Sequence, residues 1–275
     1  KKSCSSGKKT KEIKLSQTIS TMIYTFKLSG ENLNLSKFEV ETLFKTKCTR
    51  RGKIATCNLT QSPKKLKEIA ERSALIKKIY KNGIKVWEFK QGRYNLREPT
   101  ARPAFHPTGM KPKMARMIVN LTGAKKEILD PFCGIGATLI EAGVVGLKVS
   151  GSDYDPRMLD RTKTNLKYYK IKPKKIFKAD ATKLSEHLRK NSVEAITCDP
   201  PYGQSSTTSD KNLRNLFRSF MNEAHKVLKK KGRLVIIIPS KLKIPGLIPK
   251  EFKRLGKFDW YVHGGLTRQI VVLEK

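Results

Sequence analysis

The sequence predicts an α/β fold, an open and mostly parallel sheet preceded by a small α+β unit. Three observations carry that expectation. Short apolar runs from residue 127 onward end in acids, at Asp130, Asp153 and Asp180. A fourth run, 193–198, passes straight into Asp199-Pro200-Pro201-Tyr202-Gly203. Ahead of them, the order strand, helix, hairpin, helix suits a ferredoxin-like α+β unit. Ligands of open α/β sheets bind outside the carboxyl ends of the strands, so the four acids are expected on one rim.

Taken in order, residues 1–21 are polar and rich in Lys, Ser and Thr, which predicts a flexible segment. A strand is expected over 22–28, an amphipathic helix over 33–46 and a hairpin over 47–59. Ser62-Pro63 is a good helix start, with Ser as cap and Pro in the first turn. That helix is expected to span 63–82 and to stop at Asn82-Gly83. The first domain therefore covers 22–83, a linker 84–110 and the second domain 111–275. In the second domain, strands are expected over 127–130, 147–152, 175–178 and 193–198, with a helix over 138–143. Phe217, Phe220 and Met221 recur at helical spacing and belong to the core. Ile236-Ile237-Ile238 reads as a buried central strand.

The chemistry concentrates in two loops. After 127–130 the chain turns through Cys133-Gly134-Ile135-Gly136 into a helix. Glycines there let a ligand approach the backbone, and the helix start offers free N–H groups. About 20 residues on, Asp153 stands where a carboxylate binds ribose hydroxyls. In the second loop, two prolines fix two φ angles, and the first has no N–H to donate. The turn thus presents the Asp199 carboxylate, the Pro200 carbonyl and the Tyr202 ring together. The exocyclic amine of a nucleobase needs two acceptors and a flat surface of that kind.

Composition points to a polyanionic partner. The 275 residues hold 59 Lys and Arg against 23 Asp and Glu, a net charge of +36. Such self-repulsion gives no advantage to an enzyme of small molecules, whereas each phosphate contact with a nucleic acid releases counterions. No stretch of about 18 apolar residues and no signal peptide appears, which predicts a soluble intracellular chain. The five cysteines show no CxxC spacing, so no metal site is expected. Cys48 and Cys57 are spaced for one disulfide across a hairpin, a minority outcome where thiols stay reduced. Cys133 and Cys198 are expected to pack as small apolar groups.

The arrangement of acids and loops resembles the Rossmann-like S-adenosylmethionine-dependent methyltransferases, in the amino-methylating branch marked by [DN]PPY. Three strings sharpen the likeness: Arg102-Pro103-Ala104-Phe105-His106-Pro107, Lys111-Pro112-Lys113-Met114-Ala115-Arg116 and Val119-Asn120-Leu121. They resemble segments of the archaeal and eukaryotic tRNA guanine-N2-methyltransferases that act on guanosine 10. At the front, the segment from Ile23 to Asn32 is similar to that family's ferredoxin-like domain. Ala70-Glu71-Arg72-Ser73-Ala74-Leu75 is similar to its second helix. Between Ile84 and Pro99 there is no room for the THUMP RNA-binding module that the family normally carries.

The resemblance implies a seven-stranded sheet with its last strand antiparallel, S-adenosylmethionine as cofactor, tRNA as substrate and a cytoplasmic setting. It also implies a protein partner that supplies the missing RNA grip. Asp130 is the candidate for the methionine ammonium, with Gly134 and Gly136 giving backbone access. Asp153 would hold the ribose and Asp180 the adenine amine, with Phe132, Tyr154 and Ala181 lining the adenine slot. Asp199, Pro200 and Tyr202 are the catalytic candidates, and Pro201, Gly203, Arg102 and His106 the substrate contacts. Each acid has an alternative use as a helix cap, which is preferred for Asp155 ahead of Pro156. Rival readings are an rRNA guanine-N2-methyltransferase, a DNA adenine-N6 or cytosine-N4 methyltransferase, and a fold that only binds RNA.

Overall fold

The computed structural model describes residues 21–107, 109–200, 210–240, 242, 246–263 and 266–275. The front domain opens with strand β1 (Met22–Leu28) and helix α1 (Leu33–Phe44). Asn32 caps α1 by accepting from Leu35 N at 2.9 Å, and Lys45 ends it in the left-handed region at φ 53°. Strands β2 (Cys48–Arg51) and β3 (Ile54–Leu59) form the expected hairpin. Cys48 and Cys57 stand opposite each other in it and are joined by a disulfide.

Helix α2 (Pro63–Ala70) begins where Ser62 and Pro63 predict, with the Ser62 side chain accepting from Lys65 N. It does not continue to residue 82. Residues 76–81 form strand β4 (Ile76–Lys81), antiparallel to β1, followed by β5 (Ile84–Glu88). Asn82 and Gly83, at φ 50° and 79°, make the two-residue turn of a hairpin and not a helix end. The physical reason lies in β1, whose second edge needs backbone partners that a helix there would withhold. The segment Ala70–Leu75 accordingly closes α2 and leads into a strand. Residues 84–88, expected in the linker, pair with β4 in the sheet. The front sheet runs β2-β3-β1-β4-β5, the first four strands in the order of a ferredoxin-like unit.

Two 3-10 turns, Asn95–Arg97 and Pro99–Ala101, lead to helix α3 (Pro112–Leu121). The second domain then alternates β6 (Glu127–Asp130), α4 (Ala137–Val144), β7 (Lys148–Asp153), α5 (Pro156–Tyr168), β8 (Lys175–Lys178) and β9 (Val193–Cys198). It closes with α6 (Asp210–Val227), β10 (Leu228–Pro239), β11 (Lys253–His263) and β12 (Leu266–Glu274). The seven strands stand in the order β11-β12-β10-β9-β6-β7-β8. The β10-β9-β6-β7-β8 ladder is parallel, and β12 is antiparallel to both β10 and β11. The last strand is therefore the antiparallel one, as the resemblance implies. Phe217, Phe220 and Met221 of α6 are buried against Ile236, Ile238 and Val271, each such side chain contributing about 1.5–3 kcal/mol.

The two domains share a core. Leu35 of α1 with Ala74 and Leu75 packs on Met114, Met117, Ile118 and Leu121 of α3 and on Val235, Ile237, Ile270 and Val272 of the large sheet. At its centre the Glu39 carboxylate accepts from Ala74 N, Leu75 N, Asn120 Nδ2 and Ser73 Oγ at 2.8–3.3 Å. Burial raises the pKa of Glu39, against the pull of those four donors. No helix among the described residues is long and apolar enough to cross a membrane.

Candidate active site

Four carboxylates stand at the carboxyl ends of neighbouring strands: Asp130 on β6, Asp153 on β7, Asp180 just past β8 and Asp199 just past β9. Asp130 is 2% exposed. Its Oδ1 accepts from Phe132 N at 2.9 Å and its Oδ2 from Thr138 Oγ1, both neutral donors. Burial first, and the nearby Asp153 and Asp199 after it, push its pKa up to about 7. A buried carboxyl with no cation beside it among the described residues is poised to receive one.

The loop between β6 and α4 is built around its glycines. Gly134 and Gly136 sit at φ 50° and 85°, a region that side chains rarely adopt. A Cβ on Gly134 would meet nothing within 4 Å, so open space lies above it. The loop is tied down from outside by Thr162 Oγ1, which donates to Gly134 O at 2.7 Å. Asp153 braces it from β7, accepting from Gly134 N at 2.9 Å and from Asp155 N at 3.0 Å. Asp155 caps α5 by accepting from Arg157 N.

Asp180 caps the 3-10 turn that follows β8, its Oδ1 accepting from Thr182 N and Oγ1 at 2.8 Å. Ala181 is buried in the main core. Phe132 packs edge-on against Phe220 with centroids 5.0 Å apart. Tyr154, 74% exposed, has the Lys178 ammonium 5.8 Å from its ring centroid. The Cys133 and Cys198 thiols are buried, and burial raises both far from the thiolate form.

Asp199 is half-buried and Pro200 buried at the end of β9. Pro201, Tyr202 and Gly203 lie outside the described residues. Arg268 of β12 donates from Nη1 to Asp199 Oδ2 at 2.8 Å and ion-pairs with it. This places a cation of β12 on the acidic rim. The two residues are 69 positions apart, and no local string announces the contact. Thr138 is a local partner by contrast, eight residues past Asp130, and a hydroxyl in the first turn of α4 is the signal that marks it.

The linker residues divide. Arg102 is 3% exposed, with Nε donating to Arg97 O and Nη2 to Met110 O. It braces the chain between the domains. The turn closed by Gly109 N and His106 O lies on the glycine loop, since a Cβ on Gly109 would come within 3.0 Å of Ile135. Asn165 of α5 binds both segments, donating to Ala104 O and Ile135 O. Below them Glu141 of α4 ion-pairs with Arg97 and Arg116, each at 2.6 Å.

Comparison with known proteins agrees with this geometry. A family model described as RMKL-like methyltransferase domain matches residues 99–269, which include all four rim acids. A second model, described as DNA methylase, matches 9–164 and stops ahead of Asp199. The tRNA (guanine(10)-N2)-dimethyltransferase of Methanothermobacter thermautotrophicus is 40% identical over 184 residues, 66% of this chain and 54% of that protein. A Methanothermococcus thermolithotrophicus protein named as a probable enzyme of the same kind is 38% identical over 170 residues, 59% of this chain and 98% of its own length. The chain spans 51–58% of the length of three longer archaeal relatives it matches. The crystal structure of TrmN from Thermus thermophilus shares the fold, with a TM-score of 0.55 and 20% identity over 84% of this chain and 59% of that one.

Proposed function

The chain belongs to the RMKL-like methyltransferase-domain family, alongside the tRNA (guanine(10)-N2)-dimethyltransferases, and we propose that it methylates the exocyclic N2 of guanosine 10 in tRNA. The observation that carries this is the ion-paired Asp199 at the end of β9, beside the buried Asp130 and ahead of Pro-Pro-Tyr-Gly. S-adenosylmethionine, when bound, supplies an electrophilic methyl group. Its cationic ammonium fits Asp130, whose two hydrogen-bond donors among the described residues are neutral. The ribose hydroxyls fall to Asp153, the adenine amine to Asp180, and the adenine edge to Phe132 and Tyr154. Gly134 and Gly136 keep side chains out of the way, and the His106 turn covers the loop.

On the acceptor side, the Asp199 carboxylate and the Pro200 carbonyl take the two N–H bonds of the amine. That draws the nitrogen lone pair out of the ring and aims it, and alignment of this kind supplies much of the rate of a displacement. Arg268 holds the carboxylate in position and compensates its charge on an otherwise acidic rim. Asp199 also receives the proton that the nitrogen loses. Tyr202 stacks on the base, worth about 1–3 kcal/mol, and Pro201 and Gly203 are the further substrate contacts read from the sequence. A paired guanosine must first be flipped out, at a cost of about a few kcal/mol. The relatives' name extends the proposal to a second transfer on the same nitrogen. The setting is cytoplasmic, and a separate protein supplies additional grip on the tRNA.

The match of residues 9–164 to a DNA methylase model favours a second reading, amino-methylation of DNA. One experiment separates the two: labelled S-adenosylmethionine with unmodified tRNA, rRNA or DNA, followed by digestion and identification of the nucleoside. N2-methylguanosine that disappears on replacing guanosine 10 is the expected result. Label in rRNA or DNA alone overturns the substrate. The Asp199→Ala protein should bind the cofactor normally and turn over at least ~100-fold more slowly. Normal turnover would remove Asp199 from the chemistry.

A further inference from the structure

The two faces of the front sheet are unlike. Tyr24, Phe26 and Leu28 of β1, Ala55, Cys57 and Leu59 of β3 and Ile79 of β4 are buried in the core with α1 and α2. The alternate residues point the other way: Ile23, Thr25 and Lys27 on β1, and Ile54, Thr56 and Asn58 on β3. Register aligns them in rows across the strands. Lys27 stands between Ile54 and Lys78, and Thr25 between Thr56 and Tyr80. Thr49 and Arg51 extend the rows on β2, and Lys85 and Glu88 on β5. This face is open, with Ile23 58% and Ile54 37% exposed and Lys27, Arg51 and Asn58 in solvent.

The chemistry of the open face is that of a nucleic-acid platform. Four cations, Lys27, Arg51, Lys78 and Lys85, share it with one acid, Glu88. That acid already pairs with Lys78 at 2.8 Å and Lys85 at 2.6 Å. Tyr80 of β4, half-buried, places an aromatic ring on this face between Thr25 and Lys85. An aromatic ring on a sheet stacks a base of any kind, and cations around it track the phosphates. A second copy of this face, equally positive, would be repelled.

We infer that the open face of the front sheet binds an unpaired stretch of RNA, a base stacking on Tyr80 with phosphates on Lys27, Arg51, Lys78 and Lys85. The inference rests on the RNA substrate proposed above and deepens it. It gives the chain a second contact with that substrate, away from the catalytic rim.

The test is direct binding, independent of methylation. A fluorescent twelve-nucleotide oligouridylate is titrated with the full chain and followed by anisotropy, with cofactor binding and melting temperature as controls. The Tyr80→Ala protein is expected to bind about 5- to 100-fold more weakly, Tyr80→Phe to bind like the parent, and Lys27→Glu to lose affinity without a change in melting temperature. If Tyr80→Ala fails to fold, Lys27→Glu and Arg51→Glu carry the test alone. Oligonucleotide affinity unchanged in the folded variants, or none in the parent, overturns the inference. So does self-association of the parent that Lys27→Glu abolishes, since the face would then join copies of the chain. A chain that methylates no tRNA yet loses oligouridylate binding in these variants separates the failure of the enzymatic reading from that of this one.

Discussion

An acid held out of water takes its charge from the pH when no cation stands beside it, and among the described residues Asp130 is such an acid. Burial, then Asp153 and Asp199, move its pKa from 3.8 to about 7, while Thr138 and Phe132 N pull the other way. Between those values the folded protein keeps a proton that the unfolded chain has released. Stability therefore falls as pH rises from about 4 to about 7, and above 7 the whole cost, on the order of a few kcal/mol, is present. A cationic ligand needs the ionised form, so affinity for S-adenosylmethionine should climb with pH up to about 7 and then level. Titration calorimetry across that range checks it, and a flat profile would take the ammonium away from Asp130. The Asp130→Asn protein should bind weakly at every pH and, above pH 7, melt at a higher temperature than the parent. At this scale the sequence disclosed the acids, because strand ends and Asp-Pro turns are local features. It did not disclose Arg268, which reaches Asp199 only through the strand order β12-β10-β9.

Among the elements, the β2–β3 hairpin has the most measurable support. Its disulfide joins Cys48 to Cys57 on the buried face, beneath Thr49 and Thr56 on the open one. In the chain-entropy account a closed loop of about ten residues contributes about 2–3 kcal/mol. The Cys57→Ser protein should lose that amount, read as a lower urea midpoint at an unchanged slope. An unaltered midpoint would show that the bond contributes nothing. The hairpin and most strands of the second domain were legible because apolar residues alternate or cluster between turn signals. Strand β4 was not. Ile76 and Ile79, three apart, mimic a helical stripe, and the helix start at Ser62-Pro63 lent its weight to everything downstream. Asn82-Gly83 serves equally as a helix stop or a hairpin turn. What decided between them was β1, more than 45 residues upstream by number, whose open edge the local sequence cannot see.

Charge is distributed over the whole molecule in opposite senses at the two ends of the large sheet. The carboxyl ends carry Asp130, Asp153, Asp180 and Asp199. At the amino ends, Lys125, Lys126, Lys148 and Lys229 line a cavity of about 360 Å³ with Glu127 and Glu194. An acidic rim does not grip phosphate, so the RNA affinity proposed above has to come from the basic surfaces elsewhere. With four to six phosphate contacts, log K for tRNA should fall against log salt with a slope of about −3 to −5. A slope near zero would detach the +36 charge from RNA binding. The proposed partner class is read from composition alone. The docking of the two domains it could not disclose, because the Glu39 hub joins residues from α1, the approach to β4 and α3 that are ordinary polar groups in isolation. The place of β12 has a consequence for how the chain is made. It is made after every other strand of this sheet, yet it lies inside it, between β10 and β11. Until it arrives, the apolar run Leu234–Ile238 presents an open edge, and β11 has nothing to pair with. Such an edge is a template for aggregation. A lesion in residues 266–274 would therefore show first in the yield of soluble nascent protein, before any effect on chemistry.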